Sequence, residues 1–337
     1  MKVISSAFSG NGTQVKSYKR FGTSILLGLL WGTVSYGQHL ANSPAANTIG
    51  RTPVTLEARN TEFDVPLRGR SFVLHGYLPT EIPNDAPLVI YSSGSGGWHE
   101  FDDYIATSFA QRGMPVFGVS THSYLKDFYN DDHPATSTAV VEDYLELIKQ
   151  AKNIAKMGAT QPVILAGWSL GAGYAQLVAA DARIKPDVLG VISFSLSREN
   201  ETALTVSHRL MSRMLGHTFG PSFDVSEYLA RVAPVPVAII QAARDRTASP
   251  QEAQKLIKAI SSDQASTVRL FQVTAGHSHS FAGARSQVDQ TLDEVLGWIR
   301  SRSAARSPEP DSSTDKTWPV STEVAFVNHA QHARAKR

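Results

Sequence analysis

The chain has no cysteine among its 337 residues. Disulfides, thiol catalysis, cysteine metal sites and a lipobox lipoprotein anchor are therefore excluded together. Charge is also sparse. Asp, Glu, Lys and Arg make up 18% of the residues, against roughly 25% in an average soluble domain, which argues against wholesale disorder. The 42% hydrophobic content is enough for a sizeable core. The formal net charge is only +2, and no basic cluster follows a predicted helix, so a nucleic-acid binder's electrostatic footprint is missing. No internal repeat is visible.

The N-terminus holds much of the positive balance. Lys2, Lys16, Lys19 and Arg20 precede the apolar stretch Ile25–Val34, and no acidic residue occurs in positions 1–37. A basic leader, a short apolar run and small residues near Ser35 and Gly37 have the layout of a secretory signal peptide over 1–37. Its removal would take the formal charge from +2 to −2. A bilayer span needs about 20 apolar residues, so this Gly-interrupted run suits a cleaved leader better than an uncleaved anchor. The expected location is periplasmic or secreted.

From residue 50 to 302, short apolar runs alternate with helical patterns. The expected strands are Thr52–Ala58, Ser71–Leu78, Pro87–Tyr91, Met114–Val119, Pro162–Gly167, Val188–Phe194, Pro236–Gln241 and Val268–Val273. The middle ones are continuously apolar, as parallel strands covered on both faces must be. Helical spacing marks Ser137–Met157, Leu170–Ala180 and Asp289–Ile299. The alternation predicts an α/β fold, a mostly parallel sheet with helices on both faces. The first two strands lack an intervening helix and are expected to form an antiparallel edge. A short insert, Arg198–Arg231, follows the sixth strand. Residues 303–337 are rich in Ser, Pro, Ala and charge and read as a disordered tail.

One segment carries chemistry most clearly. Gly167-Trp168-Ser169-Leu170-Gly171 follows an apolar strand and opens a small-residue helix. That context is the nucleophile elbow of an α/β-hydrolase. A sharp strand-to-helix bend exposes the Ser169 hydroxyl, and flanking glycines let neighbouring backbone come close. The Gly-rich run Ser92–Trp98 after the third strand is where one oxyanion donor belongs, with Ser95 as the backbone candidate. The Leu170 N–H is the second. That run lacks the Gly-Lys-Ser/Thr ending of a phosphate loop.

A serine hydroxyl needs a base, and chain order in this fold runs nucleophile, acid, histidine. His279 and His277 both lie in the loop after the last strand. His279 fits a Gly-x-x-His-x-Phe spacing whose Phe281 would anchor the loop; His277 stays as the alternate base. Asp245, on the loop after Pro236–Gln241, is the expected acid, with Asp224 in the insert as second choice. The two histidines lack a third ligand of suitable spacing for zinc, and no motif calls for a metal or cofactor.

With these parts in order, the chain resembles the VirJ/AcvB family of bacterial periplasmic α/β-hydrolases from about Pro87 to Gly283. The resemblance rests on Ser93–Trp98, Arg112–Val119, Tyr124, the Gly167–Gly173 elbow, Ser195-Leu196-Ser197 and His279–Phe281. The chain departs from the family pattern at Ser95, where an acidic residue is usual, and at Trp168 and Leu170, where Tyr and Phe are commoner. Membership implies a virulence-associated periplasmic protein, and some members hydrolyse aminoacylated phosphatidylglycerol, chiefly the lysyl form. The expected function is an exported serine hydrolase acting on an ester or an aminoacyl-phospholipid, the latter at a membrane surface. A non-catalytic secretion or virulence-associated binding protein and a serine peptidase of the same fold are the alternatives.

Overall fold

The computed structural model describes residues 59–130, 133, 135–201, 222–274 and 279–306. The expected leader, the expected strand Thr52–Ala58, most of the insert, His277 and all but the first four residues of the expected tail lie outside the described residues.

In chain order the elements are β1 Arg59–Leu67, β2 Arg70–Leu78, β3 Leu88–Ser92, α1 Glu100–Ala110, β4 Val116–Val119, α2 Thr121–Phe128 and α3 Ser137–Ile154. Then follow β5 Val163–Trp168, α4 Leu170–Ala179, β6 Val188–Phe194, β7 Glu199–Glu201, β8 Ser222–Asp224 and α5 Val225–Val232. The chain continues with β9 Val237–Ala242, α6 Pro250–Ala259, α7 Ser262–Ala265, β10 Val268–Val273 and α8 Arg285–Ala304.

Eight strands form one sheet in the order β1-β2-β4-β3-β5-β6-β9-β10. β1 and β2 pair antiparallel and β2 meets β4 antiparallel, whereas all pairs from β4 to β10 are parallel. The antiparallel edge therefore exists, but its first strand is Arg59–Leu67, a stretch for which the sequence predicts no strand. An edge strand pairs through its backbone and needs only one apolar face. Here Val65 and Leu67 are buried between exposed neighbours. Arg68 and Gly69, both with positive φ, make the hairpin turn.

β3, β4 and β9 are buried at every position, while edge strand β10 mixes buried and exposed positions. The pleat sends successive side chains to opposite layers. Leu88 and Ile90 of β3, Val163 and Leu165 of β5, and Val237 and Ile239 of β9 join one core with α3, α4 and α5. Val89 and Tyr91, Ile164 and Ala166, and Ala238 and Ile240 join the other with α1 and α8. Helix α8 runs two residues past the expected domain end at 302. Its last turn is tied to β6 by Ser303, whose hydroxyl donates to the Leu189 carbonyl at 2.6 Å.

The chain goes from β3 outward to β4 and returns on β3's other side as β5. Strand order thus reverses between β3 and β5, and the crevice outside their C-terminal ends is where open α/β sheets place their ligands. Ser92–Gly94 and Trp168-Ser169 occupy that position.

Candidate active site

Ser169 sits between β5 and α4 with φ 55° and ψ −116°. A side chain in this region is strained, and such residues persist only where surrounding structure holds them. Two glycines explain why the bend closes. A Cβ on Gly167 would collide with the Gly171 backbone, and one on Gly171 would collide with the Ser92 carbonyl. The Ser169 N–H is fixed to the Phe194 carbonyl at 2.9 Å. Ser169 itself is half-buried.

The acid and base candidates meet. Asp245 follows β9 and is 4% exposed; its Oδ2 lies 2.9 Å from His279 Nδ1. The other oxygen, Oδ1, accepts the Thr247 N–H at 2.8 Å and the Ala248 N–H at 3.0 Å. Burial alone would raise this carboxyl. The hydrogen bonds from His279 and from the Ala248 and Thr247 backbone outweigh it and hold the pKa below the usual carboxylate value. An ionised carboxylate can only accept, so Nδ1 carries a proton, and in the neutral ring Nε2 is the lone-pair acceptor. That is the tautomer a general base needs. The His279 side chain keeps 24% of its surface exposed.

Asp224, the second choice for the acid, is instead the N-cap of α5. It accepts the Ser226 N–H at 2.8 Å and pairs with Arg198 at 3.0 Å. Phe281 is 1% exposed, stacked 5.5 Å from Phe101 and set edge-on to Phe194. The base loop is anchored there.

Leu170 is the first residue of α4, so its N–H has no partner within the helix. The Gly-rich loop after β3 is braced from below. The Thr121 hydroxyl donates to the Gly94 carbonyl at 2.6 Å, and Gly97, with φ 100°, donates its N–H to the same oxygen at 3.1 Å. Gly94 packs against the Trp168 ring, and its neighbour Ser95 is exposed at the loop tip beside the elbow. A cleft of about 760 Å³ adjoins this point, lined by Phe101, Tyr104, Trp168, Ser280, Phe281 and Arg285 among others. A second cavity of about 600 Å³, around Pro186, Val188 and Arg306, lies at the other end of β6.

Sequence reasoning assigned no role to the residues that hold His279 in place. The Trp168 indole N–H and the Ser195 hydroxyl each donate to the His279 carbonyl at 2.9 Å. Ser195 carried only a family likeness in the sequence, because its partner lies 84 positions away.

The family described as "Bacterial virulence protein (VirJ)" matches residues 85–266, more than half of the 337. The chain belongs to the VirJ family. The match includes Ser169 and Asp245 and ends before β10 and His279. No curated protein matches this VirJ-family chain in sequence. Solved structures do resemble it in fold. Est1E from Butyrivibrio proteoclasticus is 15% identical, with TM-score 0.52, over 71% of this chain and 99% of that one. A putative dienelactone hydrolase from Klebsiella pneumoniae is 14% identical, with TM-score 0.55, over 72% and 98%. An alpha-beta serine hydrolase homologue from Coxiella burnetii is 15% identical, with TM-score 0.50, over 70% and 97%. At such identities the likeness establishes the α/β-hydrolase fold alone.

Proposed function

We propose that this VirJ-family chain is an exported serine hydrolase that cleaves a carboxylic ester through Ser169, His279 and Asp245. The observation that carries the reading is the 2.9 Å contact between Asp245 and His279 Nδ1. It is held beside the strained elbow by the Trp168 indole bond to His279.

The chemistry follows from these groups. Ser169 Oγ attacks the ester carbonyl while His279 Nε2 takes its proton, a step in which a positioned base contributes about 10²–10⁴-fold. Asp245 stabilises the imidazolium that forms and keeps the ring in register. The tetrahedral oxyanion is received by the Leu170 N–H and by the Ser95 N–H of the Gly-rich loop; one such donor is worth about 2.7–4 kcal/mol. His279 then protonates the leaving alcohol. Water, deprotonated by the same ring, attacks the acyl carbon, and the ring returns that proton to Ser169 Oγ as the acyl–oxygen bond breaks and the acid leaves.

The substrate proposed is the aminoacyl ester of an aminoacylated phosphatidylglycerol, on the strength of family membership. The esterase and dienelactone hydrolase named among the structural neighbours are consistent with ester chemistry. Export is proposed from the basic leader and apolar run of residues 1–37. Among the described residues no helix is long and apolar enough to cross a membrane.

A serine-directed fluorophosphonate tests the nucleophile. The folded protein should be labelled and Ser169→Ala should not be. Absent labelling of wild type, or labelling that survives the substitution, removes the reading. Incubation with a total bacterial lipid extract tests the substrate: aminoacylated phosphatidylglycerol should disappear with wild type and persist with Ser169→Ala.

A further inference from the structure

Ser195 lies outside the triad, has none of its surface exposed, and takes φ 49°, a conformation serine rarely adopts. Its bonds show what the conformation accomplishes. The Ser195 N–H donates to the Ile240 carbonyl at 2.9 Å, on the strand that delivers Asp245. The preceding carbonyl, that of Phe194, accepts the N–H of Ser169 at 2.9 Å. Its hydroxyl donates to the His279 carbonyl at 2.9 Å. Two consecutive residues at the end of β6 thus bond to the nucleophile's backbone, the acid's strand and the base's backbone.

The indole N–H of Trp168 donates to the same His279 carbonyl at 2.9 Å. A carbonyl oxygen offers two lone pairs, so these donors engage both. The imidazole is then fixed at two points: Nδ1 against Asp245, and the peptide plane after its Cα between Ser195 and Trp168. Rotation of that plane breaks both side-chain bonds and turns the ring against its contact with Asp245.

We infer that Ser195 is a positioning residue, clamping the His279 carbonyl together with Trp168 so that the imidazole stays aligned between Asp245 and the nucleophile. The inference rests on the triad reading above. It requires that removing the hydroxyl damage turnover rather than only the fold.

Two substitutions separate these roles. Ser195→Ala removes the hydroxyl and keeps the backbone strain. Ser195→Gly removes the hydroxyl but accepts a positive φ freely. If Ser195 matters only through its backbone, the glycine variant should turn over like wild type. If the clamp matters, both variants should lose about 10- to 100-fold in kcat, with KM within about twofold, as small misplacements of catalytic groups do. A short activated ester serves as substrate, and fluorophosphonate titration counts the competent sites.

The pH profile supplies a readout that fold damage does not move. A ring held less firmly against Asp245 loses part of the carboxylate's stabilisation of its charged form. The acid-limb midpoint of kcat/KM should therefore move to lower pH in both variants. Asp245 contacts the ring and is flanked in sequence by Arg244 and Arg246; none of the three is altered. Trp168→Phe should cost less, because Ser195 still holds the carbonyl, and Ser195→Gly with Trp168→Phe should cost more than the product of the single losses.

Wild-type kcat and midpoint in Ser195→Gly overturn the inference while leaving the triad intact. So does a loss confined to the count of competent sites, with normal turnover at each. Absent labelling of wild type defeats the triad reading itself and this inference with it.

Discussion

Asp143 and Asp245 are both almost fully buried, and both are crowded with hydrogen-bond donors. Asp143, on α3, accepts from Arg68 Nε at 2.7 Å, Tyr124 at 2.6 Å and Tyr129 at 3.0 Å. Arg68 is one of the two left-handed residues of the β1–β2 turn, and it also donates to the Tyr129 hydroxyl at 2.7 Å. The carboxylate therefore braces a hairpin against a helix. Its partners keep their protons at neutral pH: the guanidinium always does, and burial pushes both phenols up. Asp245 instead faces one imidazole that keeps a quarter of its surface open, beside a strained serine. The comparison teaches that burial and rich bonding single out carboxylates that matter. Whether one matters for chemistry depends on a partner that can change its protonation within reach of a substrate.

The largest expected effect comes from Asp245→Asn. The asparagine Oδ1 can still accept the Thr247 and Ala248 N–H groups, so the loop should hold. Its amide would donate toward Nδ1 and impose the wrong tautomer, costing about 10⁴-fold in kcat by analogy with other triads. Melting temperature should stay within a few degrees. Asp143→Ala should do the reverse. It strands Arg68 and two buried phenols, and breaking a buried pair costs about 3–5 kcal/mol. Arg68 keeps 36% of its side chain in water, so about 2–4 kcal/mol is expected, read by urea denaturation. Turnover per fluorophosphonate-titrated site should be unchanged. A fall in per-site turnover for Asp143→Ala, or a collapse in stability for Asp245→Asn, would break the contrast.

How much of this was legible in sequence follows from the range of the interactions. β6 and β10 appear at their expected bounds, because short runs rich in Val, Ile, Leu and Phe are local patterns. The elbow was legible because strand, Gly-x-Ser-x-Gly and helix lie within about twenty residues. β1 was not. Its segment Asn60-Thr61-Glu62 carries no apolar run, yet an edge strand needs only its backbone to pair with β2. The Asp143 brace was invisible for another reason. Helical spacing marks Val140 and Tyr144 but cannot show that Arg68, 75 positions earlier, comes down onto α3. Sequence spacing also left His279 and His277 as rivals. The contact that places His279 on Asp245 spans 34 positions.

Asp102 sharpens the comparison at the smallest scale. It is fully buried in the first turn of α1, accepting the Tyr91 hydroxyl at 2.9 Å and the His99 N–H at 2.8 Å. Neither hydrogen bond comes from a guanidinium like that of Arg68. Burial dominates over those bonds and lifts its carboxyl to about 6. The sign is therefore opposite to that of Asp245. For Asp245, stability is gained above the unfolded pKa and lost as pH falls through a folded value below it. For Asp102, the folded state keeps its proton between about pH 4 and 6 while the unfolded chain has released it, so stability falls as pH rises through that window. The cost above pH 6 is on the order of 3 kcal/mol, several degrees in melting temperature for a domain of this size. Asp102→Asn cannot ionise. Its Oδ1 can take the His99 N–H, and its amide can donate to the Tyr91 oxygen. Melts of both proteins should differ little at pH 4, with the variant gaining several degrees over wild type by pH 7. A difference that does not change with pH would mean that Asp102 ionises without penalty in the folded state.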